Sequence, residues 1–178
     1  MPAVRMALLL VSPLLAATAC GTAGEAVRAE RPGFVATTPP ASAPPARLPR
    51  AYDPKADAGA EIAAALSRAR ADGRPVLLDF GARWCGECAS LQYAFRRRSV
   101  RPLLEGYHLV SVDVGGIDRN LNLARKYGLD LKRTGIPALV VLSPEGEVRT
   151  AGNGSLYPAS SDDRLLPANV AAFLRRWK

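Results

Sequence analysis

Two cysteines separated by two residues, Cys85 and Cys88, are the side chains of this sequence most able to do chemistry. The surrounding pattern places them where a buried strand turns into a helix, so that Cys85 lies at the helix N-terminus. Unpaired backbone N–H groups and the helix dipole favour a thiolate there. Cys88 lies one turn later, faces the core and is close enough to form a disulfide with Cys85. An exposed, activated thiol beside a shielded one suits a two-step exchange, in which one sulfur attacks a disulfide and the other resolves the mixed disulfide.

Two other roles for the pair stay open from the residues alone. The same spacing occurs in structural disulfides of ordinary secreted proteins. A zinc site needs about four ligands, and beyond this pair the chain offers the single histidine, His108, and the third cysteine, Cys20. His108 lies in an apolar stretch, which is typical of a core histidine or of a surface group at a strand end. We expect no bound metal and no organic cofactor.

The elements that must position the pair are predicted from residue 57 onward. Asp57 is a plausible N-cap and Gly73 a stop signal for the first helix. Helices are predicted over 57–73, 85–98, 120–127 and at the C-terminus, and strands over 75–80, 107–114, 138–142 and 147–150, the last two joined by a turn at 143–146. This order implies an α/β domain with a mixed central β-sheet flanked by helices on both faces.

The first 19 residues are typical of a secretory signal peptide. Arg5 is followed by an uncharged apolar run over 7–19, which as a helix would reach about 20 Å, short of a hydrocarbon core of about 30 Å. Ala17-Thr18-Ala19 fits ordinary signal cleavage. Small residues directly before Cys20 also resemble the lipobox of bacterial lipoproteins, although Ala17 stands where Leu is usual. We expect Cys20 to be lipidated, the alternative being an incidental cysteine after an ordinary cleavage site.

Residues 20–53 are predicted to be a disordered linker, and residues 54–178 the folded domain. Seven of the 15 prolines fall between Pro32 and Pro54, and a segment of this composition buries too little apolar surface to fold. The net charge is +8, but the densest basic run, Arg96-Arg97-Arg98, has few aromatic neighbours. Because a nucleic-acid interface needs a larger basic patch with stacking aromatics, we expect a solvated helix end here and no nucleic-acid partner.

Several separated motifs resemble the thioredoxin family. The run Leu-Asp-Phe-Gly-Ala-Arg-Trp-Cys-Gly-Glu-Cys over 78–88 is similar to the family's strand-to-helix active-site motif. Gly135-Ile136-Pro137-Ala138 is similar to its cis-proline loop, and Tyr127-Gly128 and Gly146-Glu147-Val148 match in order. The resemblance covers about residues 57–178. It implies a thioredoxin-like fold and thiol:disulfide oxidoreductase activity on protein disulfides.

The resemblance also implies a role for each matching residue. Cys85 corresponds to the nucleophile and Cys88 to the resolving thiol, which together form a redox-active disulfide. Asp79, at the end of the strand, corresponds to a buried carboxylate that exchanges a proton with the resolving thiol. An apolar site would raise the pKa of that carboxylate toward the working range.

Three further residues are implied to bind the substrate. Pro137 corresponds to the cis-proline, and a cis bond between Ile136 and Pro137 would bring this loop beside the sulfurs. Backbone groups of Ile136 would pair with an extended substrate segment, as an added strand pairs with a sheet edge. Trp84 corresponds to the indole beside the active site.

The sequence departs from thioredoxin at two places near the pair. Glu87 stands where thioredoxin has Pro, and a carboxylate in the first helical turn opposes a nearby thiolate, with Arg83 partly compensating. We therefore expect Cys85 to be less acidic than in strongly oxidising relatives and the pair to act as a reductant. The strand over 107–114 also lacks the lysine that thioredoxin carries near the buried acid.

The active-site context resembles the periplasmic C-terminal domain of membrane thiol:disulfide interchange reductases. This resemblance implies an extracytoplasmic location, protein disulfide substrates and a membrane electron donor or thiol reductase as partner. A lipidated Cys20 would hold the domain at a membrane surface. The alternative from another class is a thioredoxin-fold binding or chaperone module whose disulfide is static.

Overall fold

The computed structural model of the chain describes residues 51–153, 156 and 166–178. The predicted signal peptide (1–19), Cys20 and the predicted linker up to residue 50 lie outside the described residues. Tyr52, which falls in the range predicted to be linker, is inside them and its side chain is only 2% exposed.

The described residues form six helices and four strands in the predicted alternating order. The elements are α1 Ala58–Asp72, β1 Val76–Gly81, α2 Gly86–Phe95, α3 Arg101–Leu104, β2 His108–Asp113, α4 Leu121–Lys126, α5 Leu131–Thr134, β3 Ala138–Leu142, β4 Val148–Gly152 and α6 Pro167–Trp177. The four-residue helices α3 and α5 were not predicted, because one helical turn is too short to show a period in the sequence. Helix α2 ends at Phe95 rather than at Arg98, and the three arginines that follow it are exposed, as expected.

The first helix begins and ends where the sequence predicts. The Asp57 side chain accepts a hydrogen bond from the Ala60 N–H at 3.0 Å, which satisfies one of the free donors of the first turn. Gly73 ends the helix in the left-handed conformation at φ 75°, and its N–H bonds to the carbonyl of Ala69. Helix α1 therefore returns the chain to the start of β1 after only a short connection.

The strands form one mixed sheet in the order β2-β1-β3-β4. Strand β1 runs parallel to β2, with Gly81 beside Asp113, and antiparallel to β3, with Phe80 beside Ala138. Strand β4 pairs antiparallel with β3 as the outer arm of the predicted hairpin. The C-terminal ends of β1 and β2 and the start of β3 therefore meet at one edge of the sheet.

Helices cover both faces of the sheet, as predicted, and divide the core into two clusters. On one face Leu78 and Phe80 of β1 pack with α1, α4 and α5. On the other face Leu77 packs with α2, α3 and α6. All six residues of β1 are buried, which explains why this strand shows a continuous apolar run rather than an alternating one.

Candidate functional site

The cysteine pair lies at the start of α2 and is closed as a disulfide. Cys85 is the N-cap residue, and its sulfur accepts a hydrogen bond from the Cys88 N–H at 3.1 Å. The two Cα atoms are 5.2 Å apart, within the usual range for a disulfide. This arrangement arises because β1 ends at Gly81 and a short turn then begins the helix at the sheet edge.

The two sulfurs differ less in exposure than the sequence predicts. Cys88 is fully buried, as expected, but Cys85 is only 6% exposed, so the prediction of an exposed Cys85 is wrong for the disulfide form. Its sulfur is bonded to Cys88 on one side and lies 3.8 Å from the carbonyl oxygen of Ile136 on the other. Because a disulfide sulfur carries no proton, this approach is a contact and not a hydrogen bond.

The loop before β3 forms the second wall of the site. The bond between Ile136 and Pro137 is cis, as predicted. Ile136 is half-buried and Pro137 is buried. The loop reaches the cysteines because the first residue of β3, Ala138, pairs with Phe80 near the end of β1. The structure therefore brings Ile136 and Pro137 together with the disulfide.

Trp84 is the most exposed large hydrophobic residue of the described chain, at 65%. Its indole N–H donates a hydrogen bond of 2.7 Å to the carbonyl of Gly115, in the loop that follows β2. The parallel pairing of β1 and β2 brings this loop to the same edge. The indole thus presents an aromatic face to solvent directly before Cys85 in the chain, and is held there by its N–H.

Asp79 lies in the middle of β1, two residues before the strand end, and its side chain is fully buried. The Tyr52 hydroxyl donates to both carboxylate oxygens, at 3.0 Å to Oδ1 and 2.9 Å to Oδ2. Gln92 Nε2 of α2 donates to Oδ2 at 2.8 Å. Burial raises the pKa of Asp79 to about 7, and the hydrogen bonds from Tyr52 and Gln92 act against that rise. The carboxylate is therefore a base matched to neutral pH.

Sequence reasoning missed both hydrogen-bond partners of Asp79. Gln92 carries a detectable signal, because it lies four residues after Cys88 and so on the same inner face of α2. Tyr52 carries none, because it lies 27 residues from Asp79 at the end of a proline-rich stretch. Gly81 was also missed. It completes β1 and lies beneath the ring of Tyr52.

His108 lies at the opposite end of the sheet from the cysteines. It pairs with Val76 at the start of β1, and the five residues to Gly81 span about 16 Å of strand. Its Nε2 lies 3.0 Å from Asp72 Oδ1, so it is a satisfied core histidine as expected. At this separation His108 cannot share a zinc ion with Cys85 and Cys88. Within the described ranges, no group of three or more His, Cys, Asp or Glu side chains is placed to hold a metal ion.

Comparison with known proteins supports the predicted class. A family model described as thioredoxin-like matches residues 57–144. A disulphide isomerase from Xylella fastidiosa Temecula1 has a similar structure, with a TM-score of 0.63 and 34% identity, over 73% of this chain and 96% of that one. The oxidised C-terminal domain of DsbD from Neisseria meningitidis, at 19% identity and a TM-score of 0.54, shows the fold alone; it covers 72% of this chain and 100% of that chain.

Two thiol:disulfide interchange proteins match part of the sequence. DsbD 2 of Pseudomonas aeruginosa is 34% identical over 94 residues, which are 52% of this chain and 15% of that protein. DsbD of Vibrio cholerae is 40% identical over 55 residues, which are 30% of this chain and 9% of that protein. The chain thus spans only a small part of these curated relatives.

The fold, the Cys85–Cys88 disulfide at the start of α2 and the cis bond before Pro137 together define a thioredoxin-like protein. The chain belongs to the thioredoxin-like family of protein-disulfide oxidoreductases. The resemblance to the thioredoxin family that the sequence motifs indicated is therefore confirmed.

Proposed function

We propose that this chain is an exported oxidoreductase that reduces disulfides of other proteins outside the cytoplasm by reversible opening of the Cys85–Cys88 bond. One observation carries the proposal: the disulfide at the N-terminus of α2 lies between the Ile136 loop and a helix face that also contacts the buried Asp79. This arrangement supplies a nucleophile, a substrate-binding backbone and a base.

The first step uses Cys85 in the reduced protein. Its thiolate attacks one sulfur of a substrate disulfide, that S–S bond breaks, and a mixed disulfide forms between Cys85 and the substrate. The departing substrate sulfur takes a proton and leaves as a thiol. Cys85 is the attacking residue because it is the N-cap, where the backbone N–H of Cys88 already donates to its sulfur.

The second step uses Cys88 and Asp79. Cys88 loses its proton to the Asp79 carboxylate, and the resulting thiolate attacks the Cys85 sulfur. The mixed bond breaks, the second substrate sulfur takes up a proton and leaves as a thiol, and the Cys85–Cys88 disulfide of this structure is formed. Two electrons have then passed to the substrate, and a dithiol donor must reduce the pair again. Because Cys88 is fully buried, its base has to lie inside the protein, and Asp79 is bound to the same inner face of α2 through Gln92.

The substrate is proposed to bind along the Ile136–Pro137 loop with Trp84 beside it. The Ile136 carbonyl lies next to the Cys85 sulfur, so a substrate segment that pairs with this backbone brings its own disulfide to the nucleophile. Trp84, which directly precedes Cys85 in the chain, offers exposed aromatic surface. Such contact surface suits many protein substrates because it requires no particular side chain.

The reducing direction is supported by the charge at the helix start. Glu87 is exposed in the first turn of α2, and a carboxylate there disfavours a thiolate on Cys85. A thiol that is a less favourable leaving group gives a disulfide that is harder to reduce and a dithiol that is a better reductant. The matching DsbD proteins are thiol:disulfide interchange proteins, in keeping with electron transfer to or from other proteins.

The location is proposed to be the extracytoplasmic face of a membrane. The support is the signal-peptide pattern over 1–19, the lipobox-like residues before Cys20 and the proline-rich linker that follows. A membrane electron donor or thiol reductase would then recharge the pair. Among the described residues, no helix combines the length and the apolar character needed to cross a bilayer.

An insulin-reduction assay with full-length protein distinguishes the proposed oxidoreductase from a protein with a static disulfide. The low exposure of Cys85 is compatible with a static disulfide as well. We expect turnover by the wild type and none by Cys85→Ser or Cys88→Ser. Cys20→Ser is the matched control, because it removes the third cysteine and leaves the pair intact. A wild type that shows no turnover with a chemical dithiol donor would identify the chain as a binding or chaperone module.

A further inference from the structure

Tyr52 reaches the buried carboxylate from outside the elements that carry the site. It precedes α1 and also precedes the region matched by the family model, which begins at residue 57. A methyl group at Gly81 would lie 2.5 Å from carbon atoms of the Tyr52 ring, so the ring packs directly on the bare backbone there. Because Gly81 and Asp79 lie two residues apart, they face the same side of β1, and the hydroxyl of the ring comes to lie at Asp79.

The contact with Asp79 is divided unequally between the two carboxylate oxygens. Oδ2 accepts from both Tyr52 and Gln92, whereas Oδ1 accepts from Tyr52 alone. A proton that arrives on the carboxylate therefore binds at Oδ1, where no amide donor opposes it. A phenolic hydroxyl both donates and accepts, so Tyr52 can accept from the protonated Oδ1 while it still donates to Oδ2.

The other strands and helix α2 bring few polar groups close to the Asp79 carboxylate. On β2 its register partner is Ser111, whose buried hydroxyl has no hydrogen-bond partner among the described residues, and the next residue on that face is Asp113. Strand β3 presents the apolar Leu139, and α2 presents Gln92 with Cys88 one turn earlier. Among the described side chains, those hydrogen-bonded to Asp79 are Tyr52 and Gln92, and neither is charged at neutral pH.

Tyr52 and Gln92 also separate Asp79 from solvent. Both line a groove of about 320 Å³ that Arg83 and Arg96 also line, whereas Asp79 has no exposed surface. The ring and the amide thus form the inner wall of the groove, and the carboxylate lies behind them.

We propose that Tyr52 is a positioning residue for the resolving step: its hydroxyl holds the Asp79 carboxylate through both protonation states, and its ring closes the carboxylate off from the groove. The inference rests on the proposed function, and it adds that proton transfer from Cys88 depends on a residue N-terminal to the matched region. In that transfer the S–H bond of Cys88 breaks and an O–H bond forms at Oδ1 of Asp79. The electron pair left on sulfur then forms the bond to Cys85.

The test replaces Tyr52 by Phe, which keeps the ring over Gly81 and removes the hydroxyl. A hydrogen bond to the charged carboxylate is stronger than one to the neutral acid, and the difference between the two sets the shift, so losing the hydroxyl should raise the pKa of Asp79 by about one pH unit. The matched control is Tyr107→Phe. Tyr107 is also fully buried, and its hydroxyl donates one hydrogen bond, of 2.7 Å, to the Leu174 carbonyl. It lies in the other core cluster, away from the site.

Two measurements are made on the wild type and both variants. In the disulfide form, NMR follows the titration of the Asp79 carboxyl carbon, which requires no catalytic activity. In the reduced form, the single-turnover rate of disulfide reduction is measured against pH. In Tyr52→Phe we expect the midpoint of the Asp79 titration and the low-pH limb of the rate profile to shift to higher pH. In Tyr107→Phe we expect both to stay where they are in the wild type.

The two measurements separate this inference from the proposed function. An Asp79 titration that is the same in Tyr52→Phe and the wild type overturns the inference, whatever the activity. A shifted titration with an unshifted rate profile also overturns it, because Tyr52 would then hold Asp79 without affecting the reaction. A wild type that reduces no disulfide overturns the proposed function and with it the catalytic part of the inference, while the titration still decides whether Tyr52 positions Asp79.

Discussion

Replacing Asp79 by Asn should make the stability of the disulfide form less dependent on pH. The ordinary pKa of an aspartate is 3.8, and burial raises that of Asp79 to about 7 in the folded protein. The folded state therefore binds this proton more tightly than the unfolded state does. The stability that comes from a neutral Asp79 is fully present below pH 3.8 and is lost as the pH rises through about 7.

The size of the effect follows from the two pKa values. At about 1.4 kcal/mol per pH unit, the gap between 3.8 and about 7 corresponds to about 4 kcal/mol. An asparagine side chain does not ionise. As the pH rises from about 4 to about 9, the free energy of unfolding of Asp79→Asn should therefore increase by about 4 kcal/mol relative to that of the wild type. Altered hydrogen bonds to Tyr52 and Gln92 add an offset that does not vary with pH and cancels in this comparison.

Urea unfolding of both proteins across this pH range measures the difference directly. Asp130→Asn is the matched control, because Asp130 is exposed and its replacement removes a carboxylate that is already in water. We expect its curve to run parallel to that of the wild type. A difference between Asp79→Asn and the wild type that stays constant with pH would refute the reasoning, since Asp79 would then titrate alike in the folded and unfolded chains.

Three further predictions concern the site. Cys88→Ser should accumulate a mixed disulfide between Cys85 and the substrate, seen as a dithiol-sensitive band on non-reducing gels; rapid release of the substrate would contradict the assigned order of attack. Gly81→Ala should force the Tyr52 ring away and cost about 1–3 kcal/mol in urea unfolding, and unchanged stability would show that the ring does not need this space. Trp84→Ala should raise KM for a protein disulfide with little change in kcat, and an unchanged KM would remove the indole from the binding surface.

Local signals explain what the sequence could predict of the fold. Asp57 and Gly73 bound α1 because capping depends on neighbouring residues only. The continuous apolar run of β1 indicated a strand buried on both faces. The four-residue helix α5 gives no such signal, because a single turn has no period and is stabilised by packing of Leu131 into the core.

The candidate site was predictable only where its residues lie in recognisable motifs. Cys85, Cys88 and Pro137 were found in this way. The covering of Cys85 depends on a loop 51 residues away, and the contact of Tyr52 with Asp79 spans 27 residues. Such contacts arise from the way the strands bring distant segments to one sheet edge, and no local pattern records them.

A redox titration of the full-length protein tests the central claim most directly. Equilibration with dithiol buffers of increasing reducing strength, followed by thiol counting, gives the potential of the Cys85–Cys88 pair. We predict reversible opening near the reducing end of the range for thioredoxin-like catalysts, about −270 mV. A bond that stays closed below about −300 mV, as structural disulfides do, would contradict the account.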